Sequence, residues 1–170
     1  MQASSAGGPK PAPPCPIGRA AELLGDRWTL LIVRNATVGM SRFDEFKADL
    51  GIADNILSAR LKRLVEAGIL TKIPYRSGGR ARHEYRLTAA GAELLPVLHA
   101  LAAWGQQHTD PATPADPMHI VHLTCGHQTA DDRTCDHCGQ ELQRDQIAWL
   151  RPWRSDTPYP LAPAVPPTQA

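Results

Sequence analysis

Apolar residues recur every three to four positions through most of the first hundred, and breaks in that rhythm divide the chain into elements. "GRAAELL" and "RWTLLIVRNA" are two helical runs, with Asp26 placed to cap the second. "RFDEFKADL" predicts a third short helix, started by Ser41 and carrying Phe43 and Phe46 at i and i+3. Gly51 then breaks the chain. "ADNILSARLKRLVEAG" follows as a helix over 53–67, with Leu57, Leu61, Leu64 and Val65 in one stripe and Gly68 as its natural end. Alternation replaces the helical period in "ILTKIPYRSGGRARHEYRLT", which predicts strands over 69–75 and 83–87 around a Gly-Gly turn. Thr88 then caps one long helix to about Trp104. Leu94, Leu98, Leu101 and Trp104 share a face of it, and Pro96 should kink it.

Short helices, a turn, a well-patterned helix and a basic hairpin form the winged helix-turn-helix order. The fold class is mainly α (α+β): a winged helix-turn-helix domain with a long C-terminal helix, to which the resemblance given below assigns dimerisation, then a small zinc-ribbon-like β module. The zones read as a disordered N-terminal segment (1–14), the winged-helix domain (15–107), a Pro-rich linker (108–118), the cysteine-bearing module (119–150) and a Pro-rich disordered tail (151–170). Pro152, Pro158, Pro160, Pro163, Pro166 and Pro167 bar the tail from forming a helix or a central strand.

Charge changes the picture locally. The 170 residues carry a formal net charge of only +1, so the chain as a whole advertises neither nucleic acid nor membrane. There is no apolar run of the length a membrane span needs and no secretory signal, which points to the cytoplasm. Yet Arg60, Lys62, Arg63, Lys72, Arg76, Arg80, Arg82 and Arg86 crowd the fourth helix and the wing, opposed there only by Glu66 and Glu84. A DNA-binding unit of this order lays that helix in the major groove of double-stranded DNA. At 100° per residue, Asn55, Ala59, Lys62 and Glu66 lie opposite the apolar stripe, flanked by Ser58 and Arg63. Asn55 and Ser58 are the candidates for base edges, and Ala59 and Arg63 are candidate DNA contacts on the same surface. Lys62 and the wing residues 76–83, with Arg76, Arg80 and Arg82, are the candidates for phosphates.

Three of the four cysteines fall in "HLTCGHQTADDRTCDHCGQEL". His122-x-x-Cys125-Gly and Cys135-x-x-Cys138-Gly are two copies of one knuckle, and together they give four zinc ligands. His127 is the rival of His122 for the fourth place. Four protein ligands leave no open position for substrate water, so the zinc is structural and catalysis is not expected. The readings from other classes are a thiol redox enzyme using Cys15 or the Cys135/Cys138 pair, and an interaction adaptor without DNA affinity.

The ordered anchors Cys15-Pro16, Gly25-Asp26-Arg27-Trp28, Arg42-Phe43, Leu57-Ser58-x-Arg60-Leu61, Glu84-Tyr85-x-Leu87-Thr88 and Trp104-Gly105 resemble the HxlR-type transcriptional regulators, winged-helix relatives of the MarR group. The resemblance implies a homodimeric regulator, usually a repressor, on a palindromic operator, dimerising through the first and last helices. It also marks Cys15 as the place of a thiol that in several members responds to oxidants or electrophiles. Arg19, one turn on, could lower the thiol's pKa. Two departures are visible: "SGGRARHEY" stands at a wing tip often built on Pro-Pro, and Ala53 stands where many members cap the recognition helix with Ser.

Overall fold

The computed structural model describes residues 14–77, 80–110, 116–130 and 133–166. Most of the expected N-terminal segment, the Gly78-Gly79 turn, the heart of the linker and the last four residues therefore lie outside the described residues. Among the described residues six α-helices and six strands follow in order. They are α1 (Pro16–Leu24), α2 (Arg27–Thr37), α3 (Phe43–Leu50), α4 (Asp54–Glu66), β1 (Leu70–Ser77), β2 (Arg80–Leu87), α5 (Ala89–Ala92), α6 (Leu95–His108), β3 (His119–His122), β4 (Gln128–Thr129), β5 (Ile147–Arg151) and β6 (Ser155–Pro160).

Local chemistry explains the starts. The Asp26 carboxylate accepts the amides of Trp28 and Thr29 at 3.0 and 3.2 Å and so caps α2. Helix α3 begins one residue later than Ser41, with Arg42 at its cap. Glu45 reaches back to the amides of Ser41 and Arg42 at 2.8 and 2.9 Å, which fixes the entry. Ala53 offers α4 no side-chain cap. The α4 stripe is fully buried at Leu57, Leu61 and Leu64, against Ile32, Val33 and Phe46.

The wing is longer than its alternation suggested. β1 and β2 pair antiparallel from Leu70↔Leu87 out to Ser77↔Arg80. The single kinked helix expected after Thr88 is instead two. Thr88 Oγ1 accepts the Gly91 amide at 3.2 Å to start α5, and the chain breaks at 93–94 before α6 begins. Pro96 falls in the first turn of α6, where its missing N–H would have had no helical partner. The proline selects a start rather than a kink.

The tail departs further from expectation. β3, β4, β5 and β6 form one antiparallel sheet in the order β4-β3-β5-β6. Residues 155–160 are thus an edge strand, the one sheet position where Pro158 and Pro160 cost no ladder bond that a neighbour needs. Leu161 follows, buried, and Arg151 stacks over the Tyr159 ring at 4.5 Å.

The sheet does not stand apart from the winged helix. Trp149, Ile147, Ile120, Leu142 and Leu161 join the same apolar core as Leu95 and Leu98. The Trp149 indole donates to His99 on α6 at 2.7 Å, and Arg144 donates to the carbonyls of Ala92 and Ala162 at 3.2 and 2.9 Å. Ala162 and Val165 donate their amides to the carbonyls of Thr37 and Leu87, each at 2.8 Å. Arg154 pairs with Asp49, whose carboxylate also receives Asn35 at 2.7 Å and Arg34 at 3.1 Å. Among the described residues no helix is long and apolar enough to cross a membrane.

Candidate nucleic-acid interface and metal centre

Helix α4 presents Asn55, Ser58, Ala59, Lys62 and Arg63 as exposed residues on the side away from its buried stripe. They are not equally free. Lys62 faces Glu66 at 3.7 Å, an exposed i,i+4 pair of little energetic weight. Arg63 donates instead to the Glu22 carbonyl on α1, which links the outer face of α4 to the first helix. Arg60 pairs with the cap residue Asp26 at 3.0 Å. Burial opposes ionisation of Asp26, but the Thr29 hydroxyl and the Arg60 guanidinium outweigh it and hold the carboxyl below its ordinary range.

On the wing, Arg76 and Arg82 are exposed and sit on strands rather than in a loop. Arg82 meets Asp44 of α3 at 3.2 Å. The backbone of Arg80 pairs with Ser77, while its side chain lies outside what is described. Arg42, of the Arg42-Phe43 anchor, is not among the sequence's DNA-contact candidates; its guanidinium lies 5.1 Å from the Tyr75 ring centre and 3.4 Å from Glu84. It connects the start of α3 to the wing.

Of the four residues assigned to the last helix's face, Leu98 is turned into the core and Leu94 is half-buried, whereas Leu101 and Trp104 are 46% and 60% exposed. Val97, 44% exposed, joins them. Helix α1 buries none of its residues, and Ile17 stands 79% exposed. Only Leu94 falls outside α6; within that helix, at about 100° per residue, Leu101 and Trp104 turn progressively away from the buried direction of Leu98.

Cys15 is the exposed residue just before α1. Arg19, expected to aid its thiol, donates to the Pro14 carbonyl at 2.7 Å.

The two knuckles are built alike. In the first, Gly126 donates its amide to the His122 carbonyl at 2.8 Å and His122 donates to His127 O at 2.9 Å. In the second, Gly139 donates to Cys135 O at 2.8 Å and Cys135 donates to Gln140 O at 2.9 Å. Gly126 and Gly139 have φ of 72° and 71°, a left-handed turn that a side chain resists. Asp136 ties the second knuckle back to residues 129–130, accepting the Ala130 amide at 2.8 Å and the Thr129 hydroxyl at 3.0 Å; these bonds hold its carboxyl below the usual range.

Between the knuckles, His122, Cys125, Cys135 and Cys138 bring one ligand atom each within 4.8 Å of one another. His122 Nδ1 lies 3.3 Å from the sulfurs of both Cys125 and Cys138, and Cys125 Sγ lies 3.7 Å from Cys135 Sγ. A tetrahedral zinc with Zn–S near 2.3 Å requires sulfurs about 3.8 Å apart. The four residues therefore fit a metal ion. His127 is elsewhere: its Nδ1 meets the Cys125 carbonyl at 2.8 Å, and its ring stacks on His137 at 3.4 Å.

Backbone amides tune the thiols. The Cys138 and His137 amides favour the Cys135 thiolate over its burial and bring that pKa down to about 6. At Cys125 the His127 amide favours the thiolate, but burial and the adjoining Cys135 and Cys138 thiols prevail and push the thiol up. His122 is fully buried, and among the described residues its Nε2 has no hydrogen-bond partner.

Similarity to known proteins agrees with this architecture. A family model for HxlR-like helix-turn-helix proteins matches residues 23–113. The uncharacterised HTH-type transcriptional regulator Rv3095 of Mycobacterium tuberculosis is 44% identical over 126 residues, 74% of this chain and 78% of that one. An alignment that long cannot fit before residue 113, so it extends into the C-terminal region. The crystal structure of PA1607, described as a candidate transcription factor, is 37% identical, with a TM-score of 0.62 over 76% of this chain and 89% of its own. The redox regulator HypR in its reduced form is 26% identical, with a TM-score of 0.51 over 55% of this chain and 92% of its own. The family is one of transcriptional regulators and not of enzymes. With more than half of its length matched by the family model, the chain belongs to the HxlR-like helix-turn-helix family.

Proposed function

We propose that the protein is a homodimeric repressor that binds a palindromic operator, with α4 in the major groove and the wing beside it. The observation that carries this reading is the division of α4. Leu57, Leu61 and Leu64 are wholly buried while Asn55, Ser58, Ala59 and Lys62 are all exposed on the opposite side, next to a basic hairpin. Asn55 and Ser58 read base edges near the helix start, and Ala59 gives the backbone a close approach. Lys62, Arg76, Arg80 and Arg82 contact phosphates and contribute affinity and salt dependence. Arg63, engaged with α1, serves mainly to hold α4 in place.

Dimerisation uses α1 and the outward residues of α6, chiefly Leu101 and Trp104 with Val97. An exposed apolar surface of that kind on a small domain calls for a partner, and a second copy is what the family supplies.

The ion in the knuckle site is zinc, as one imidazole and three thiolates select. When bound it supplies cross-linking rather than chemistry, because all four positions are filled from the chain. His122 anchors it to β3, and Cys125, Cys135 and Cys138 close the knuckles. The likeness to HypR supports a response to oxidants at Cys15.

Fluorescence anisotropy of the zinc-loaded protein on DNA from upstream of its own gene, against scrambled DNA and across a salt series, tests the reading. The expected result is binding at least about 10³-fold tighter to the upstream DNA, falling steeply with salt. Complete absence of binding at low salt would overturn it.

A further inference from the structure

Four features set the knuckle site apart from an inert rivet. Cys138 is exposed and Cys125 half-buried, whereas Cys135 is 1% exposed, so Cys138 is the residue of the three most accessible to reagents. Cys125 and Cys135 sulfurs are already 3.7 Å apart, and all three sulfurs share a site within which no ligand pair exceeds 4.8 Å. Among the described residues the buried His122 Nε2 meets no acceptor of the kind that normally steadies a metal-bound imidazole, a support whose loss typically costs 10–100-fold in metal affinity. Finally, the site is wired to the rest of the molecule. His122 pairs with Ile147 across β3 and β5, Trp149 of β5 bonds to His99 of α6, and Arg144 holds the Ala92 carbonyl just before that helix. Val97, Leu101 and Trp104 lie on the outward side of the same helix.

We propose that the His122–Cys125–Cys135–Cys138 cluster is a thiol–zinc switch: a two-electron oxidant of the peroxide class converts two of its thiolates to a disulfide, zinc leaves, and the loosened sheet lowers DNA affinity through α6. The inference rests on the zinc and operator readings above. The Cys138 thiolate attacks the peroxide, an S–O bond forms as the O–O bond breaks, and hydroxide departs. A second thiolate, from Cys125 or Cys135, then attacks the sulfenic sulfur, forming S–S and expelling the second hydroxide. The two sulfurs lose two electrons and the peroxide gains them. Zinc retains only His122 and one thiolate, too few to hold it. Without the ion, the knuckles lose the cross-link that orders them, and β3 and β5 relax against α6.

The test uses the full chain as a zinc-loaded dimer with Cys15→Ser, so that the cluster holds the only thiols left. Hydrogen peroxide is titrated in while a chromogenic chelator reads zinc, non-reducing peptide mass mapping reads disulfides, and anisotropy reads binding to upstream DNA. The expected result is one zinc released and one disulfide formed per chain, binding at least about 10-fold weaker, and recovery on adding thiol reductant and zinc. Zinc retained at peroxide levels that oxidise free glutathione would overturn the proposal. So would zinc loss with unchanged DNA affinity, or loss of the helical circular dichroism signal, which would mean denaturation instead of switching. Absence of operator preference before any oxidant is added would sink the repressor reading, with the zinc and disulfide readouts still deciding the thiol chemistry.

Discussion

The indole of Trp149, in the C-terminal sheet, donates to Nε2 of His99, in the helix that closes the winged-helix domain, at 2.7 Å and with both rings buried. Fifty residues separate them in the chain. The rings meet edge to face with centres 5.5 Å apart, so the contact combines a directed bond with aromatic packing. Trp149→Phe keeps most of the apolar bulk and removes the donor of this bond. It should destabilise the protein by about 0.5–1.5 kcal/mol. Urea unfolding followed by helical circular dichroism checks this. A loss confined to the C-terminal sheet, with the winged helix unmoved, would show that the two parts unfold separately.

Asp26 is both the cap of α2 and the partner of Arg60 on α4, so it ties a core helix to the recognition helix. Asp26→Ala should cost about 0.5–2 kcal/mol from the lost cap alone. Its carboxyl sits below its ordinary value of 3.8, so the contribution is complete at pH values above that figure and is lost as pH falls through the lower folded-state value. Melting curves at pH 7 and pH 3 should therefore show a smaller gap between wild type and variant at the acid end. An equal gap at both would deny the ionic part of the role.

The symmetry of the knuckles favours His122 over its rival His127, and their nitrogens point accordingly: His122 Nδ1 at the sulfurs, His127 Nδ1 at a carbonyl. His122→Gln should abolish stoichiometric zinc, because the ring nitrogen 3.3 Å from two sulfurs disappears. His127→Gln removes only a bond to a carbonyl and a stack on His137, and zinc content should stay at one per chain. Metal analysis of the two purified variants decides the matter.

The apolar stripe of α4 and the twinned knuckles were legible in the sequence because each is a local pattern: one period, one repeated spacing. What was not legible is non-local. Nothing in residues 151–166 announces that Leu161 will enter the core or that Arg154 will reach Asp49, since both depend on an edge strand that tolerates proline. Pro96 illustrates the limit from the other side. Inside an apolar period a proline suggests a kink, but it is equally at home in a first turn, and here it opens a second helix where one was expected. By its angle on the helix Arg63 is a candidate DNA contact; its added reach to the Glu22 carbonyl depends on α1 lying beside α4, which no local pattern states.

On DNA, the two kinds of contact should part company in measurement. Asn55→Ala should weaken binding to the operator by about 1–3 kcal/mol and leave scrambled DNA nearly untouched, since a base contact carries sequence information. Arg76→Ala should weaken both DNAs by similar factors and lower the salt slope by about one. If Asn55→Ala lowers both affinities alike, α4 does not read bases at that residue.

Trp104 and Leu101 lie one turn apart on α6, 60% and 46% exposed, and with Val97 they make an apolar strip that a monomer would leave in water. Replacing both by Glu would place two charges where a second copy is expected to pack. Desolvating them in an apolar contact would outweigh what the contact gains. Neither side chain contributes to the core of its own chain, so the double variant should fold with wild-type helicity. Sedimentation velocity should then show a dimer for wild type and a monomer for the variant at equal concentration. Operator affinity should drop by more than any single α4 substitution causes, because two half-sites would no longer be bound by one particle. A variant that remains dimeric would shift the interface away from α6, leaving α1, with its uncovered Ile17, as the surface to test next.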